Sequence, residues 1–337
     1  MIDFRYHLVS LISVFLALAV GIALGAGPLK ESIGDSLTGQ VAQLRGEKES
    51  LRSELDVANK TAAQADTFLD TAAPQLLAGR LADRRIAVIA LGDVPSAVRD
   101  GIDNRLKQAG ASVSAHVSLT PAWTDPSQVS YRQALVGNLL TYLDPKPADG
   151  SSPDEQLAAA LAQGLAGADP AAPGKPSDSA SILLELLTTG DNPLVKVDGK
   201  VTTPADAIVV LTPAAATSAG KGGATAPPGD VTTARLAIVS AAQSRSGGAV
   251  LVDGARGTGS LVDAVLADGT LKSQITTVSQ MTTVFAQVSV PMALAARLSG
   301  RVGHFGFGDQ ETTVPAAVTL PPLNLTPTAP TTAGAVG

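Results

Sequence analysis

An uncharged apolar segment, residues 8–29 (LVSLISVFLALAVGIALGAGPL), constrains the fold of this chain more than any other feature. At about 1.5 Å of rise per residue, a helix of this length crosses a hydrocarbon core of about 30 Å. A helix also pairs its own backbone polar groups, which the lipid interior requires. The segment therefore predicts a membrane anchor over residues 1–30, and the rest of the chain is expected to work at a membrane.

A cleaved signal sequence is the alternative interpretation of the same segment. Ala17 and Ala19 provide a small-x-small cleavage pattern behind a short leader that carries Arg5. The apolar run nevertheless extends beyond the roughly 7–15 residues of a signal core, which favours an uncleaved single-pass anchor. Because the leader is too short to form a domain, we expect the long C-terminal part to lie outside the cytoplasm.

A ridge of small residues and a heptad repeat predict self-association. Ser13, Ala17, Gly21 and Gly25 are spaced four apart, and the last two form a G-x-x-x-G pattern that lets membrane helices approach closely. Pro28 and Gly34 are expected to interrupt the helix before a coiled coil over residues 35–73, which Pro74 ends. The seam positions of this coiled coil are Leu37, Val41, Leu44, Lys48, Leu51, Leu55, Ala58, Ala62, Ala65 and Leu69.

Both patterns together favour a parallel homo-oligomer. A single amphipathic helix lying on the globular domain remains the alternative for the heptad segment, since its later alanine positions suit either packing.

Composition excludes other partners and chemistries. With a net charge of -6 and 3% aromatic residues, nucleic acid is not an expected partner. The absence of cysteine rules out disulfides, thiolate nucleophiles and Cys-based metal sites.

Residues 84–314 predict an α/β domain with a flavodoxin- or Rossmann-like, mostly parallel sheet. Segments 86–91, 206–212 and 249–253 are continuous apolar runs, as expected of strands buried on both faces. Segment 112–119 alternates apolar and polar residues, which predicts a half-exposed edge strand. With a fifth strand at 275–278, the expected order is 2-1-3-4-5.

Helices are expected between these strands, together with two low-complexity loops and a disordered tail. The loops cover residues 144–179, with a short helix at 155–165, and residues 213–229; the tail covers residues 315–337. Ser96 or Asp93 is expected to cap the helix after the first strand. The remaining predicted helices are 97–108, 128–143, 181–188, 232–244, 259–267 and 291–298.

A glycine-rich turn, residues 253–260 (DGARGTGS), is the strongest candidate for a site. A helix N-terminus attracts anions, and Arg256 adds positive charge. The turn is not G-x-G-x-x-G and lacks the P-loop lysine, so a structural role is favoured. Asp93 and Asp253 both follow strands and could share a divalent cation, although turn or cap roles are commoner for aspartate.

The remaining metal-binding and catalytic residue types form no motif. His7, His116 and His304 show no zinc spacing, and Met1, Met281 and Met292 are dispersed. No G-x-S-x-G elbow is present. We therefore predict no enzyme, no catalytic residues and no cofactor-binding residues, and assign no metal ligands.

The N-terminal block MIDFRYHLVSLISVFLALAVGIALGAG, the coiled-coil segment, RRIAVIALGD and the later GHFGFG together resemble the mycobacterial copper transporter family MctB. The resemblance covers about residues 1–320. It implies a pore-forming envelope protein, of the outer membrane, that exports copper and keeps intracellular copper low. Copper is then the transported ion rather than a cofactor. An outer-membrane barrel needs alternating strands of about 10 residues; here the apolar helix is the expected wall of any pore.

Two hypotheses for function follow. The first is a role in copper efflux or copper homeostasis, as the resemblance implies. The second is a non-catalytic scaffold, anchored in the membrane and assembled through the coiled coil, that presents a ligand- or partner-binding α/β domain outside the cytoplasm.

Overall fold

The computed structural model describes residues 4–26, 28–213, 229–323 and 325–326, and the chain divides after Ala65 into two units. In the first unit, helix α1 (Phe4–Ala26) is apolar over the 22 residues Phe4–Gly25, enough to cross a membrane. Helix α2 (Pro28–Leu77) begins in this unit. The predicted break at Gly34 is wrong, because α2 runs through it; a helical glycine costs only about 1 kcal/mol.

The apolar residues of the predicted heptads are solvent-exposed in the first unit of the single chain. Leu44 and Leu51 are 63% and 64% exposed, and Leu55 is 59% exposed. The helix ends at Leu77 rather than at Pro74, which lies in its last turn. An exposed apolar seam agrees with a coiled coil, whose pairing with a second chain stays a prediction.

The second unit contains the predicted α/β domain. Its seven-stranded sheet has the order β5-β2-β1-β6-β7-β8-β9, so the five predicted strands follow the predicted order. All neighbouring pairs are parallel except β2 and β5. The strands are β1 (Arg85–Ala90), β2 (Ser112–Leu119), β5 (Val195–Val197), β6 (Ala207–Thr212), β7 (Ala249–Asp253), β8 (Thr276–Val278) and β9 (His304–Phe305), with a separate pair β3 (Ala168–Asp169) and β4 (Ala172–Pro176).

The two faces of the sheet carry different helices. Along β1, Ile86 and Val88 pack on one side, and Ala87 and Ile89 on the other, as the alternation of a strand requires. The first side packs against α3 (Ser96–Gln108) and α10 (Val284–Leu298). The second side packs against α4 (Val129–Leu139), α5 (Pro153–Ala166), α6 (Asp178–Thr188), α7 (Gly229–Arg245) and α8 (Leu261–Ala267), and the short α9 (Gly269–Gln274) follows α8.

Several predicted boundaries differ from the structure. Strand β2 is not at the edge, because β5 pairs antiparallel outside it. Helix α10 begins at Val284, well before the predicted start at 291, and includes Pro291. The predicted caps of α3 are wrong: Pro95 occupies the N-cap and no side chain caps the helix. Gly110 does end α3, with a φ of 88° that suits glycine.

The segment 144–179 contains more structure than a loop. Its helix α5 is buried along most of its length, and Ser152 and Glu155 form a reciprocal capping box at its start. Of the predicted loop at 213–229, positions 214–228 lie outside the described residues.

The first part of the predicted tail contacts the domain. Residues 315–323 form no helix or strand, but the carbonyl oxygens of Val318 and Pro321 accept hydrogen bonds from Arg80 and Arg84. Positions 324 and 327–337 lie outside the described residues.

Candidate functional site

The glycine-rich turn after β7 is held together by Asp253. This carboxylate is 1% exposed and accepts hydrogen bonds from the Ser260 hydroxyl at 2.6 Å and the Val262 N–H at 3.2 Å. The Ser260 oxygen in turn accepts from the Asp263 N–H and caps α8. Burial raises the pKa of Asp253, although these hydrogen bonds act in the opposite direction. The contacts support the structural interpretation of the turn.

Arg256 does not supply free positive charge at this turn. Its guanidinium lies 2.5 Å from the Asp263 carboxylate and 2.9 Å from that of Glu311. Burial lowers the pKa of Arg256, but the two carboxylates outweigh it and the net shift is upward. Because two negative charges neutralise the arginine, an anion gains little from it, and the turn is a weak anion site.

Glu311 is the residue of this region that the sequence analysis missed. Its side chain is 0% exposed, and it accepts hydrogen bonds from the Gly308 N–H at 2.8 Å and the Ser279 hydroxyl at 3.2 Å. A Cβ on Gly306 would collide with Ser279 and Glu311. The only sequence signal was the glycine spacing of residues 303–308, which allows the backbone to close over this carboxylate.

The two predicted strand-end aspartates have different environments. Asp93 is exposed beside β1, whereas Asp253 is buried beneath α8, and no contact joins them in the part of the chain that the structure describes. Among the described residues, no group of three or more His, Asp or Glu side chains is placed to hold a metal ion. A shared cation between Asp93 and Asp253 therefore has no support.

The histidines and methionines also lie apart. His116 contacts Asp103 at 2.8 Å, and His7 is exposed on α1. His304 uses both ring nitrogens, one with the Thr277 hydroxyl at 3.0 Å and one with the Lys272 carbonyl at 3.1 Å. Burial lowers the pKa of His304, which favours the neutral ring. Met281 and Met292 pack in the apolar core.

A cleft of about 700 Å³ lies at the carboxyl ends of β1 and β2. Its walls come from the loop that leads into α3, the loop after β2, Lys196 of β5 and Arg235 of α7. Arg235 is half-buried, and burial lowers its pKa against the attraction of Asp253. Of the candidates predicted from the sequence, only Asp93 lines this cleft.

The raised pKa of Asp253 makes a testable prediction about pH. If the pKa is higher in the folded than in the unfolded state, protonation of Asp253 stabilises the fold. This contribution is fully present below the unfolded pKa, near 3.8, and is lost as pH rises through the folded pKa. We expect the advantage of the native protein over Asp253→Asn, in free energy of unfolding by urea, to increase as pH falls from about 7 to 4.5.

Asp125 serves as a control, because its pKa is shifted in the opposite direction from that of Asp253. The Ser127 N–H, 2.8 Å from its carboxylate, lowers the pKa of Asp125. The advantage over Asp125→Asn should therefore stay constant down to about pH 4.5 and decline only below it. A pH-independent advantage over Asp253→Asn would contradict the burial argument.

Comparison with known proteins identifies the family. Residues 1–316 match the family described as "Copper transport outer membrane protein, MctB". The chain belongs to this family. Proteins named "Copper transporter MctB" from Mycobacterium bovis and Mycobacterium tuberculosis are each 28% identical over 317 residues, which is 91% of this chain and 97% of theirs. The predicted resemblance to MctB is confirmed, and membership of this membrane-protein family together with α1 supports membrane association.

Proposed function

We propose that this protein acts in copper homeostasis at the cell envelope and lowers intracellular copper by efflux. The observation that carries the proposal is the MctB family match, which spans the anchor and the α/β domain. The relatives named as copper transporters align over 97% of their own length. The proposed role is transport and not catalysis.

The proposed path for copper runs through the membrane helices. The chain has no cysteine, and the described residues contain no cluster of three His, Asp or Glu side chains, so a stable copper site in the α/β domain has no support. Conduction needs sites that bind the ion favourably enough for entry and weakly enough for release. In residues 8–29 the polar side chains are Ser10 and Ser13, so these are the ligands that α1 offers. Oligomerised α1 helices are the proposed wall.

Self-association through α1 and α2 is the second part of the proposal. A Cβ on Gly21 or Gly25 would meet nothing within 4 Å in the single chain, so both positions are open to a neighbouring helix. The exposed leucines of α2 would continue the same parallel pairing. We further propose that the α/β domain lies outside the cytoplasm. The family's printed name gives the outer membrane as its location, which supports a place in the envelope.

A non-transporting scaffold is the second candidate function. It is favoured by the lack of a metal cluster in the described residues, together with a sizeable cleft at the ligand-binding edge of the sheet. In this alternative the anchored oligomer presents the α/β domain to a ligand or partner, and copper levels are unaffected.

Copper accumulation in a strain that lacks the gene tests the first proposal. We expect raised intracellular copper and reduced copper tolerance, both restored by the intact protein. Gly21→Leu with Gly25→Leu should fail to restore either, because leucine keeps the helix apolar but prevents close approach. Ile12→Ala with Leu16→Ala is the matched control on the opposite face of α1, and cross-linking in membranes reports oligomer formation for every variant.

The outcomes separate the two candidates. Unchanged copper and tolerance in the deletion strain would exclude efflux and favour the scaffold. Restoration by the double-leucine variant, with cross-linking intact, would exclude the G-x-x-x-G ridge as the assembly surface.

A further inference from the structure

The cleft at the carboxyl ends of β1 and β2 lies where an open α/β sheet binds ligands. The chain leaves β1 for β2 on one side and later returns to β6 on the other, so the strand order reverses between β1 and β6, on the other side of β1 from β2. Gly92 lets the loop after β1 approach the end of β6, since a Cβ there would lie 2.9 Å from the Pro213 ring. A volume of about 700 Å³ suits a small organic molecule.

Hydrogen-bond donors without acceptors gather around this cleft. Trp123 is 0% exposed, and its indole N–H has no partner among the described residues. The buried Nε of Arg235 lacks a partner within the same part of the chain. Both residues line the cleft, although Trp123 also borders a smaller cavity. Buried donors are normally paired, and these two N–H groups belong to side chains of the cleft wall that have no acceptor of their own among the described residues.

The N-terminus of α3 adds to this set of donors. Helix α3 has 13 residues and no side-chain cap, whereas Ser152, Ser177 and Ser260 cap other helices of the domain. The loop into α3, including Ser96, lines the cleft. The first N–H groups of a helix and its dipole attract an anion.

The charged side chains of the cleft favour a negative ligand. Lys196 is exposed on β5 with no ion-pair partner among the described residues. Arg235 makes no direct ion pair there, and Asp253 attracts it only from beyond ion-pair distance. The guanidinium of Arg99, which also lines the cleft, lies 3.5 Å from the Asp198 carboxylate and is therefore already paired. Asp93 opposes this charge, but it is exposed.

We propose that the cleft binds a small organic phosphate. Its oxygens accept hydrogen bonds from the first turn of α3, Lys196 and Arg235. Its organic part packs against the apolar wall formed by Leu119, Pro121 and Trp123. A phosphate monoester provides the acceptors that these donors lack, and its double charge matches the two unpaired cations.

Trp123 is the only tryptophan of the chain, and its surroundings include this cleft, so its fluorescence can follow binding here. Titration of the full chain in detergent with phenyl phosphate should give a saturable change with a dissociation constant below about 1 mM. Inorganic phosphate lacks the apolar part and should bind about tenfold more weakly. Benzyl alcohol, the neutral apolar probe, should give no saturable change.

Two variants test the charge argument. Lys196→Gln should weaken phenyl phosphate binding about tenfold, because a charge-assisted hydrogen bond is lost. Lys107→Gln removes an exposed lysine from the far end of α3, about 16 Å from its N-terminus, and should leave binding unchanged. Asp93→Asn should strengthen binding, because it removes the opposing charge.

Ser96→Asp separates folding from binding. A carboxylate in the first turn complements the helix dipole, so thermal stability should be retained or increased while phosphate binding is lost. No saturable change with phenyl phosphate would overturn the proposal. Equal weakening by Lys196→Gln and Lys107→Gln, or equally tight binding of benzyl alcohol, would overturn it as well. Competition by vesicles of phosphatidic acid would identify a lipid headgroup as the source of the phosphate, and failure to compete would identify a soluble ester.

Discussion

Asp206→Ala is expected to lower the free energy of unfolding by about 3–5 kcal/mol. Asp206 forms a two-point ion pair with Arg85, at 2.6 and 3.1 Å, and both side chains are nearly buried, at 12% and 13% exposure. The same carboxylate accepts the Arg85 backbone N–H at 2.7 Å. Its removal leaves a buried guanidinium whose remaining partner is the Pro173 carbonyl, so most of the loss comes from the uncompensated charge.

The measurement is urea unfolding of the full chain followed by the fluorescence of Trp123, which is buried in the core of the domain. Asp198→Ala is the matched control. It removes an equivalent carboxylate whose side chain is 63% exposed and 3.5 Å from Arg99, so it should cost less than about 1 kcal/mol.

A double variant distinguishes charge burial from loss of attraction. Arg85→Met with Asp206→Leu replaces the pair by apolar side chains and should be more stable than Asp206→Ala alone. If Asp206→Ala and Asp198→Ala have equal effects, or if the double variant is the least stable, the buried-pair argument is wrong.

The strand order was predictable because its signals are local. Strands β1, β6 and β7 are unbroken apolar runs, which parallel strands covered on both faces require. Strands β5 and β9 have only three and two residues, too few for any periodic pattern. The positions of β5 and β9 in the sheet therefore depend on tertiary pairings that the sequence does not display.

The sequence predicts a short helix at 155–165 within a loop, and the structure has a helix there, but the prediction does not use the capping signal at the start of α5. Its surroundings are rich in proline, alanine and glycine, which favours a loop. Yet Ser152 and Glu155 have the spacing of a capping box around Pro153, and these features mark a helix start. Local capping chemistry was a better guide here than regional composition.

The candidate sites were less predictable, because tertiary contacts determine their charge. Arg256 looked available for an anion in the sequence, but Asp263 and Glu311 neutralise it in the fold. Conversely, Arg235 and Lys196 lie far apart in sequence and carry no motif, and the fold places both at one cleft. Residue type indicated where charge exists, while packing decided which charge is free.

Gly306→Ala is expected to destabilise the C-terminal closure of the domain by about 2–4 kcal/mol. The new methyl group would collide with the Ser279 hydroxyl and the Glu311 carboxylate. It would displace a fully buried carboxylate from Arg256, Ser279 and the Gly308 N–H together. The loss of stability should exceed that of the steric overlap alone, because Arg256 also loses one of its two carboxylate partners.

Gly174→Ala is the matched control, since a Cβ there would meet nothing within 4 Å. Hydrogen exchange locates the effect: β8 and β9 should lose protection in Gly306→Ala, while β1 and β6 keep theirs. Glu311→Gln retains the shape of the side chain but removes its charge. It should therefore also destabilise this segment, without introducing a steric clash. Native stability of Gly306→Ala would show that the segment adjusts freely and that Glu311 does not hold it in place.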